Sequence, residues 1–426
     1  MLKIYAIELR RSPLLAALPA LIVVDLLVLF GRTRHWIGVW PEASAAAQVA
    51  TLFLGPALAA VSAWQAGRGA RAGMPEFLQG AARPLWHAEA VRFAATLTLG
   101  CAAYLVGCLT AAAFSLKDAG PGFLWPSYLL LGCASLVTFA ALGHFAGRLW
   151  PSASFTPVLC ALVGFVAYVG VGKGYGLYVL SGDPTQKIAP GALGLRLLLA
   201  LALSVVAVFL TRVAKADRQT RFYLPTGTRA VMALSTVMVF ALVPLIALSG
   251  PVRVLRPPAA VTPACERAGG HGARVCVWPE HRKYLPDLVA MADRLSRVPQ
   301  DWIKQPAAYY EYGLRPTPFG DIGFDIAEGH VRPAAMGMAA QVSATSMGRC
   351  TPPESEERAW QASNRLDLWL EYRAMGTDPR TADAGLSMVG VAEEQRAAAE
   401  AVALSEREQR TWTAEQRARL GTWCRK

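Results

Sequence analysis

Two ionisable side chains interrupt long apolar stretches of the sequence. Asp25 stands in the outer half of an apolar segment at 13–30, and His144 in the lower part of another at 128–150. An ionisable group at membrane depth usually faces the interior of a helix bundle or a water-filled path, so both are candidates for a transport path. The alternatives are that the Asp25 carboxylate reaches the outer headgroups and that His144 is a neutral imidazole bonded to a neighbouring helix.

The eight cysteines fall into two groups of four. The four cysteines inside apolar segments are interpreted as small apolar side chains: Cys101, Cys108, Cys133 and Cys160. Those in the polar C-terminal part favour two disulfides if that part faces an oxidising space: Cys265, Cys276, Cys350 and Cys424. Three pairings are possible; we favour Cys265 with Cys276, which bracket a glycine-rich turn, and Cys350 with Cys424, and free buried thiols remain the alternative.

Other motifs that could carry chemistry lack the spacing that the chemistry needs. The glycines around Lys173 do not form the GxxxxGK[ST] phosphate loop, so the chain has no ATPase motif of its own. Glu280 with His281, and Glu328 with His330, lack the HExxH spacing of a zinc site, and no serine lies in a GxSxG turn. We therefore expect no metal site and no catalytic residues, and a protein that is not an enzyme.

Composition indicates a membrane protein. Of 426 residues, 54% are hydrophobic and only 17% are charged, and the apolar residues concentrate in the first 250 positions. Many of the basic residues behind the net charge of +12 flank apolar segments, where membrane orientation accounts for them. We therefore expect the lipid bilayer, and no nucleic acid, as a partner.

The chain is predicted to cross the membrane about seven times, after an amphipathic interfacial helix at 1–11. The predicted spans are 13–30, 46–64, 91–114, 128–150, 155–171, 195–212 and 229–250. Gly143 and Gly147 in the fourth span stand at a spacing that permits close helix approach. Basic residues number thirteen in the loops assigned inside and five in the short loops assigned outside, which predicts the N-terminus inside and the C-terminus outside.

The loop at 65–92 between the second and third spans contains a short predicted helix. Pro75 suits a first helical position, Glu76 the first turn and Gly80 the stop, so the helix would cover 75–79. It is either an ordinary loop helix on the headgroups or a coupling helix that presents Glu76, Phe77 and Leu78 to a cytoplasmic motor.

The chain resembles permease subunits of ABC type-2 exporters, particularly those of actinobacteria, in two stretches, IELRRSP and RAGMPEFLQGAARPLWHAEAVRFAA. Between these two stretches lie a first span, an outer loop and a second span. The resemblance covers about residues 1–214. It implies an interfacial N-terminal helix, a loop that contacts the ATPase through Pro75, Glu76, Phe77 and Leu78, and outer segments that close the exit. A seventh span and a large polar domain depart from the usual six-span pattern.

The polar C-terminal part is predicted to be an independent domain. A Pro-rich linker at 251–263 separates the membrane part, 1–250, from residues 264–426. A hairpin holding Cys265 and Cys276 opens this domain, and helices are predicted at 284–298, 353–375, 382–403 and 405–423, with large tryptophan surfaces. This is a small α+β, mostly helical, extracytoplasmic domain.

Together these features predict a multi-pass plasma-membrane permease of an ABC exporter. It would work as a homo- or heterodimer with a separate ATPase subunit, which would hold ATP and Mg, while this chain binds no cofactor. Two alternatives remain: a multi-span anchor for an extracytoplasmic binding or sensing domain, and an anchor for an extracytoplasmic enzyme.

Overall fold

The computed structural model describes residues 2–31, 34–72, 86–209, 226–257, 261–269, 272–315, 323–326, 330–347, 356–376 and 392–423. The chain divides into two compact units, Met1–Val254 and Leu255–Lys426. Two sequence predictions lie outside the described residues: the helix at 75–79, and the pairing of Cys350 with Cys424.

The first unit is a bundle of helices. In chain order these are α1 (Leu2–Arg10), α2 (Pro13–Gly31), α3 (Trp40–Val49), α4 (Thr51–Arg71), α5 (Trp86–Ser115), α6 (Pro126–Leu149), α7 (Phe155–Val171), α8 (Pro190–Phe209) and α9 (Thr226–Leu248). The interfacial helix predicted at 1–11 is present as α1. A two-stranded sheet joins β1 (Gln186–Ile188) to β2 (Arg253–Leu255), so the start of the predicted linker is a paired strand.

Six helical stretches of the described chain are long and apolar enough to cross a membrane. They are Pro13–Gly31, Trp40–Arg71, Trp86–Ser115, Pro126–Leu149, Pro190–Phe209 and Ala230–Leu248, and α7 is a shorter apolar helix of 17 residues. Large apolar side chains cover their outward faces, such as Leu162 at 62% exposed and Phe240 at 76%. Such faces suit a lipid surrounding, and the prediction of a helical membrane bundle is confirmed.

The helices on both sides of the predicted loop at 65–92 are longer than the sequence indicated. The stretch α3–α4 begins at Trp40 and ends at Arg71, and α5 already begins at Trp86, so the loop boundaries were wrong at both ends. The first turn of α3 holds Pro41 and Glu42, which favour a helix start, and basic residues in the last turn of α4 interact favourably with the carboxyl end of the helix dipole.

Helices α4 and α6 touch through their backbones. A Cβ atom placed on Gly143 would lie 2.0 Å from the Ala59 carbonyl oxygen, and one on Gly147 would lie 2.1 Å from that of Ala63. At the same contact the Ser62 hydroxyl donates to the Ala140 carbonyl at 2.7 Å. The close approach predicted from the glycine spacing is confirmed, because no side chain other than hydrogen fits at either position.

The second unit combines a small sheet with helices. Strand β4 (Arg274–Val277) pairs antiparallel with β3 (Ala264–Arg267) and parallel with β5 (Ala308–Tyr310). The helices are α10 (Leu285–Ser296), α11 (Arg332–Met347), α12 (Glu357–Met375), α13 (Ala392–Val402) and α14 (Glu406–Trp423). Strand β5 and helix α11 had not been predicted, and the other elements overlap their predicted ranges.

The core of this unit lies between the sheet and the helices. Val275 and Val277 from β4 pack with Leu288 from α10 and with Trp369 from α12, and all four are fully buried. Cys265 and Cys276 stand directly opposite each other in the β3–β4 register and form a disulfide, as the sequence predicted. The unit is therefore a compact α+β fold with a covalent bond across its hairpin.

The backbone contact predicts that Gly143→Ala destabilises the bundle by at least about 2 kcal/mol, because the added methyl group meets a carbonyl that cannot move without displacing α4. The thermal unfolding temperature of the detergent-solubilised chain should fall accordingly. Gly194→Ala in α8 is the matched control, since a Cβ there has no neighbour within 4 Å. Equal unfolding temperatures for the two variants would contradict this account of the helix contact.

Candidate functional site

A set of charged side chains joins four helices at one end of the bundle. We call Glu8, Arg68, Glu89, Arg92 and His144 the Glu8 network. The Glu8 carboxylate of α1 accepts a hydrogen bond from Arg68 Nη2 of α4 at 2.7 Å and lies 3.7 Å from Arg92 Nε of α5. Arg92 also donates to Glu89 at 3.0 Å, and Glu89 lies 3.3 Å from His144 Nε2 of α6.

The network is largely closed to solvent. The His144 side chain is 1% exposed and that of Arg92 is 8% exposed, whereas Arg68 at 27% stands at the rim. Charges in such surroundings are stable only when opposite charges and hydrogen bonds compensate the loss of water. The network therefore holds α1, α4, α5 and α6 in one arrangement.

Uncharged polar groups extend the same contact inward. The Gln65 amide of α4 donates to the Ser12 hydroxyl at 2.6 Å, and its oxygen accepts from Thr96 of α5 at 3.1 Å. Near the helix end, Arg71 donates to the carbonyls of Ser152 and Trp64. These bonds give polar side chains of α4 and α5 partners beyond the ends of the predicted spans.

The Glu8 network lies next to the predicted coupling helix in the chain. Arg68 is in the last turn of α4 and Arg92 in the second turn of α5, so these two arginines stand on either side of residues 72–85. That interval contains Pro75, Glu76, Phe77 and Leu78, which lie outside the described residues. One carboxylate on the interfacial helix thus contacts both helices that lead into the interval.

A second polar assembly occupies the opposite end of the bundle. Residues 172–185, which we call the cap segment, run without helix or strand after α7. Gln48 of α3 accepts from the Val179 amide at 2.9 Å, and Ser135 of α6 donates to the Leu177 carbonyl at 2.8 Å. Irregular backbone packed against an apolar bundle is stable only where other protein groups bind its polar atoms, and these side chains do so.

Two further charged side chains fasten the cap segment. The buried Glu42 carboxylate accepts from the Ser181 hydroxyl at 2.9 Å and the Gly182 amide at 3.0 Å. Arg196 of α8 donates to the Gly176 carbonyl at 2.8 Å and also binds that of Tyr175. Glycine is required at 182, because a Cβ there would lie 2.0 Å from the Pro41 carbonyl oxygen.

The sequence analysis missed the residues that hold the cap segment. Glu42 fell outside the predicted second span, and Gln48 and Arg196 lay inside predicted spans without being singled out. The signal that identified Asp25 and His144 is a polar side chain in an apolar segment. The same signal would also have identified Gln48 and Arg196. Their partners are backbone atoms far along the chain, which no sequence pattern shows.

The two predicted transport-path residues lie in different surroundings. His144 belongs to the Glu8 network, whereas Asp25 is 0% exposed between α2 and α5 and none of the described side chains hydrogen bonds to its carboxylate oxygens. Asp25 therefore does not reach the headgroups, which was the alternative interpretation. The structure does not bring the two residues together into one site.

The second unit holds acid–base groups of its own. His281 Nδ1 lies 2.5 Å from Glu311 Oε1, and Glu311 also accepts from the Trp278 amide at 2.8 Å. Glu280, the neighbour considered in the sequence, instead accepts from Arg256 at 2.9 Å, and Glu328 lies outside the described residues. The sequence analysis missed Glu311, which follows β5 and meets His281 only through the sheet.

A buried carboxyl group of this unit has a raised pKa. Burial raises the pKa of Asp367 on α12 to about 6, although the hydrogen bond from the Ser343 hydroxyl of α11 opposes the shift. This bond ties the two helices together. Among the described residues, no three His, Cys, Asp or Glu side chains come together as metal ligands do.

Comparison with known proteins finds one family. A family model described as a domain of unknown function, DUF7224, matches residues 275–424, which begin in β4 and include every helix of the second unit. No curated protein and no solved structure matches the chain. The match delimits a C-terminal module and leaves its activity open.

The Glu8 network predicts that Glu8→Gln loosens α1 from the bundle, because it removes the charge that Arg68 and Arg92 share. The loss of one partly buried charged hydrogen bond costs about 1 to 2 kcal/mol, which corresponds to roughly tenfold faster hydrogen exchange in the last turn of α1. Lys3→Gln is the control, since Lys3 is an exposed residue of the same helix. Unchanged exchange in Glu8→Gln would show that other contacts hold α1.

Proposed function

We propose that this chain is the membrane-spanning subunit of an ATP-driven ABC type-2 exporter, coupled to a separate ATPase subunit through the loop that contains residues 75–79. The observation that carries the proposal is the Glu8 network. It joins the interfacial helix to both helices that lead into that loop, at the place where a motor would have to act. The resemblance of residues 1–214 to such permeases supports the same assignment.

The mechanism follows from the connectivity of the bundle. A force on residues 75–79 passes into the last turn of α4 and the first turns of α5, and Glu8 carries it to α1. Helix α4 is locked to α6 at Gly143 and Gly147, so α4 and α6 would move as a pair. ATP-driven closure of two motor subunits would then favour one of two bundle arrangements by contacting them differently.

The cap segment supplies a means of closing the far end. Its backbone is bound by side chains of three helices, namely Glu42 and Gln48 of α3, Ser135 of α6 and Arg196 of α8. A movement of α6 relative to α3 would break some of these bonds while others persist. We infer that the cap segment closes the exit in the arrangement seen here.

The side on which the C-terminal domain lies depends on α7. Its 17 residues stand at the lower limit of lengths that cross the hydrocarbon core, and its exposed face carries Leu162 and Val166 at 62% and 68% exposed. With α7 as a span there are seven, which places the C-terminal domain opposite the N-terminus. The Cys265–Cys276 disulfide suits such an extracytoplasmic position.

A simple membrane anchor would not need the two polar assemblies that the structure contains. An anchor needs neither a charge network around one loop nor a backbone segment bound from three helices. The enzyme alternative would rest on the buried His281–Glu311 pair, which joins β4 to the end of β5 and so has a structural role already.

The coupling assignment predicts that replacing Glu76 and Phe77 together with Ala abolishes substrate-stimulated ATP hydrolysis, because the motor loses its contact. The measurement uses the full chain reconstituted with the ATPase subunit that co-purifies with it. Replacing Asp118, an exposed residue of the α5–α6 connection, with Ala is the control and should leave stimulation unchanged. Full stimulation by the double variant would rule out residues 75–79 as the coupling contact.

The seven-span arrangement predicts opposite labelling at the two ends of α7. Single cysteines replace the exposed residues Ala153 and Lys173 in a chain that otherwise keeps only Cys265 and Cys276. A membrane-impermeant maleimide should label only Lys173→Cys in intact cells, and added protease should remove the C-terminal domain with Cys265 and Cys276 linked. Equal accessibility at 153 and 173, with a protease-resistant domain, would mean that α7 does not cross and that the domain is cytoplasmic.

A further inference from the structure

Asp25 is a buried carboxyl group for which the described structure provides no charged partner. It lies in α2, whose other residues are all uncharged, and it is 0% exposed. Neither carboxyl oxygen has a side-chain hydrogen-bond partner among the described residues, and the polar group that interacts with the carboxyl group is the Gly107 backbone amide. By contrast, Glu8, Glu42 and Glu89 in the same unit each bind a cation or a hydrogen-bond donor.

A recess in α5 accommodates the Asp25 side chain. A Cβ atom on Gly107 would lie 2.2 Å from Asp25 Oδ2 and 2.7 Å from Oδ1 and Cγ, so the carboxyl group fills the space that a side chain would occupy. One turn earlier, the buried Tyr104 hydroxyl interacts with the Cys108 thiol of the same helix. Gly132 of α6 makes room for this hydroxyl, because a Cβ there would lie 2.3 Å from it.

The titratable groups on the packed helices leave Asp25 without a neutralising cation in the described structure. Cys108 on α5 interacts electrostatically with Asp25 and is not a cation, and neither is Tyr104 one turn before Gly107. On α4, Arg68 pairs with Glu8 and Arg71 binds two carbonyls, while Glu42 on α3 holds the cap segment and Glu89 and Arg92 on α5 belong to the Glu8 network. Arg32, seven residues beyond Asp25, lies outside the described residues.

An ionised carboxylate in this position would lose its hydration and gain no compensating positive charge, which is costly. The neutral acid avoids most of that cost. We propose that Asp25 is a proton-binding site inside the bundle, which holds a proton on its carboxyl group while α2 and α5 are in contact.

The proton has a defined fate when the helices separate, and this step rests on the proposed function. Water that enters between α2 and α5 accepts the proton as the carboxyl O–H bond breaks, and it solvates the resulting carboxylate. When the helices close again, the carboxylate recovers a proton from water and returns to the Gly107 recess. The open and closed arrangements of the bundle would therefore differ by one bound proton.

The test is infrared difference spectroscopy of the full chain in lipid bilayers at neutral pH, wild type against Asp25→Asn. The expected result is a carbonyl band of a protonated carboxylic acid that is lost in Asp25→Asn. Asp118→Asn, which removes an exposed carboxyl group, should keep the band, and Gly107→Ala should shift or remove it by displacing the Asp25 side chain.

Two results would overturn the proton site. In the first, a correctly folded Asp25→Asn variant loses an ionised carboxylate band and keeps every acid band. The other is an acid band that appears only in Arg32→Gln, which would show that Arg32 neutralises Asp25 in the native chain.

A separate measurement concerns the link to transport. In the reconstituted complex, stimulated ATP hydrolysis should depend on pH in the wild type and lose that dependence in Asp25→Asn. If the acid band is present and the pH dependence is identical in both proteins, the proton does not participate in transport. If no ATPase is stimulated at all, the proposed function fails while the spectroscopic result for Asp25 stands.

Discussion

The bundle depends on the contact between α4 and α6, where two helices meet through backbone atoms. Gly143 and Gly147 allow this approach, and the Ser62 hydroxyl bridges the two helices beside them. Because α6 also carries His144 and Ser135, the contact fixes both polar ends of the bundle at once. At one end His144 belongs to the Glu8 network, and at the other end Ser135 hydrogen bonds to the cap segment.

The membrane environment explains why polar groups are concentrated in these two assemblies. Lipid offers no hydrogen bonds, so charged residues in a bundle persist only where other protein groups compensate them. The Glu8 network achieves this with alternating charges, and the cap segment with side chains that bind backbone atoms. Asp25 satisfies the same requirement differently, by carrying its own neutralising proton.

The C-terminal unit is organised by other forces. Water surrounds a domain of this kind, and its stability comes from a buried core around Trp369 together with the Cys265–Cys276 disulfide. Its His281–Glu311 pair connects elements that are 30 residues apart in the chain. The family match to residues 275–424 is consistent with a module that folds around this core, joined in this chain to a membrane bundle.

The sequence by itself determined which segments are long and apolar enough to cross a membrane, because this depends only on the composition of 19 to 32 consecutive residues. It also determined the helical approach at Gly143 and Gly147 and the pairing of Cys265 with Cys276, since both depend on local spacing. Only the tertiary structure decided how the polar residues combine. Glu8 with Arg68, Glu42 with Gly182, and His281 with Glu311 are separated by 30 to 140 residues, and hydrogen bonds between such distant groups depend on how helices and strands pack rather than on any local pattern.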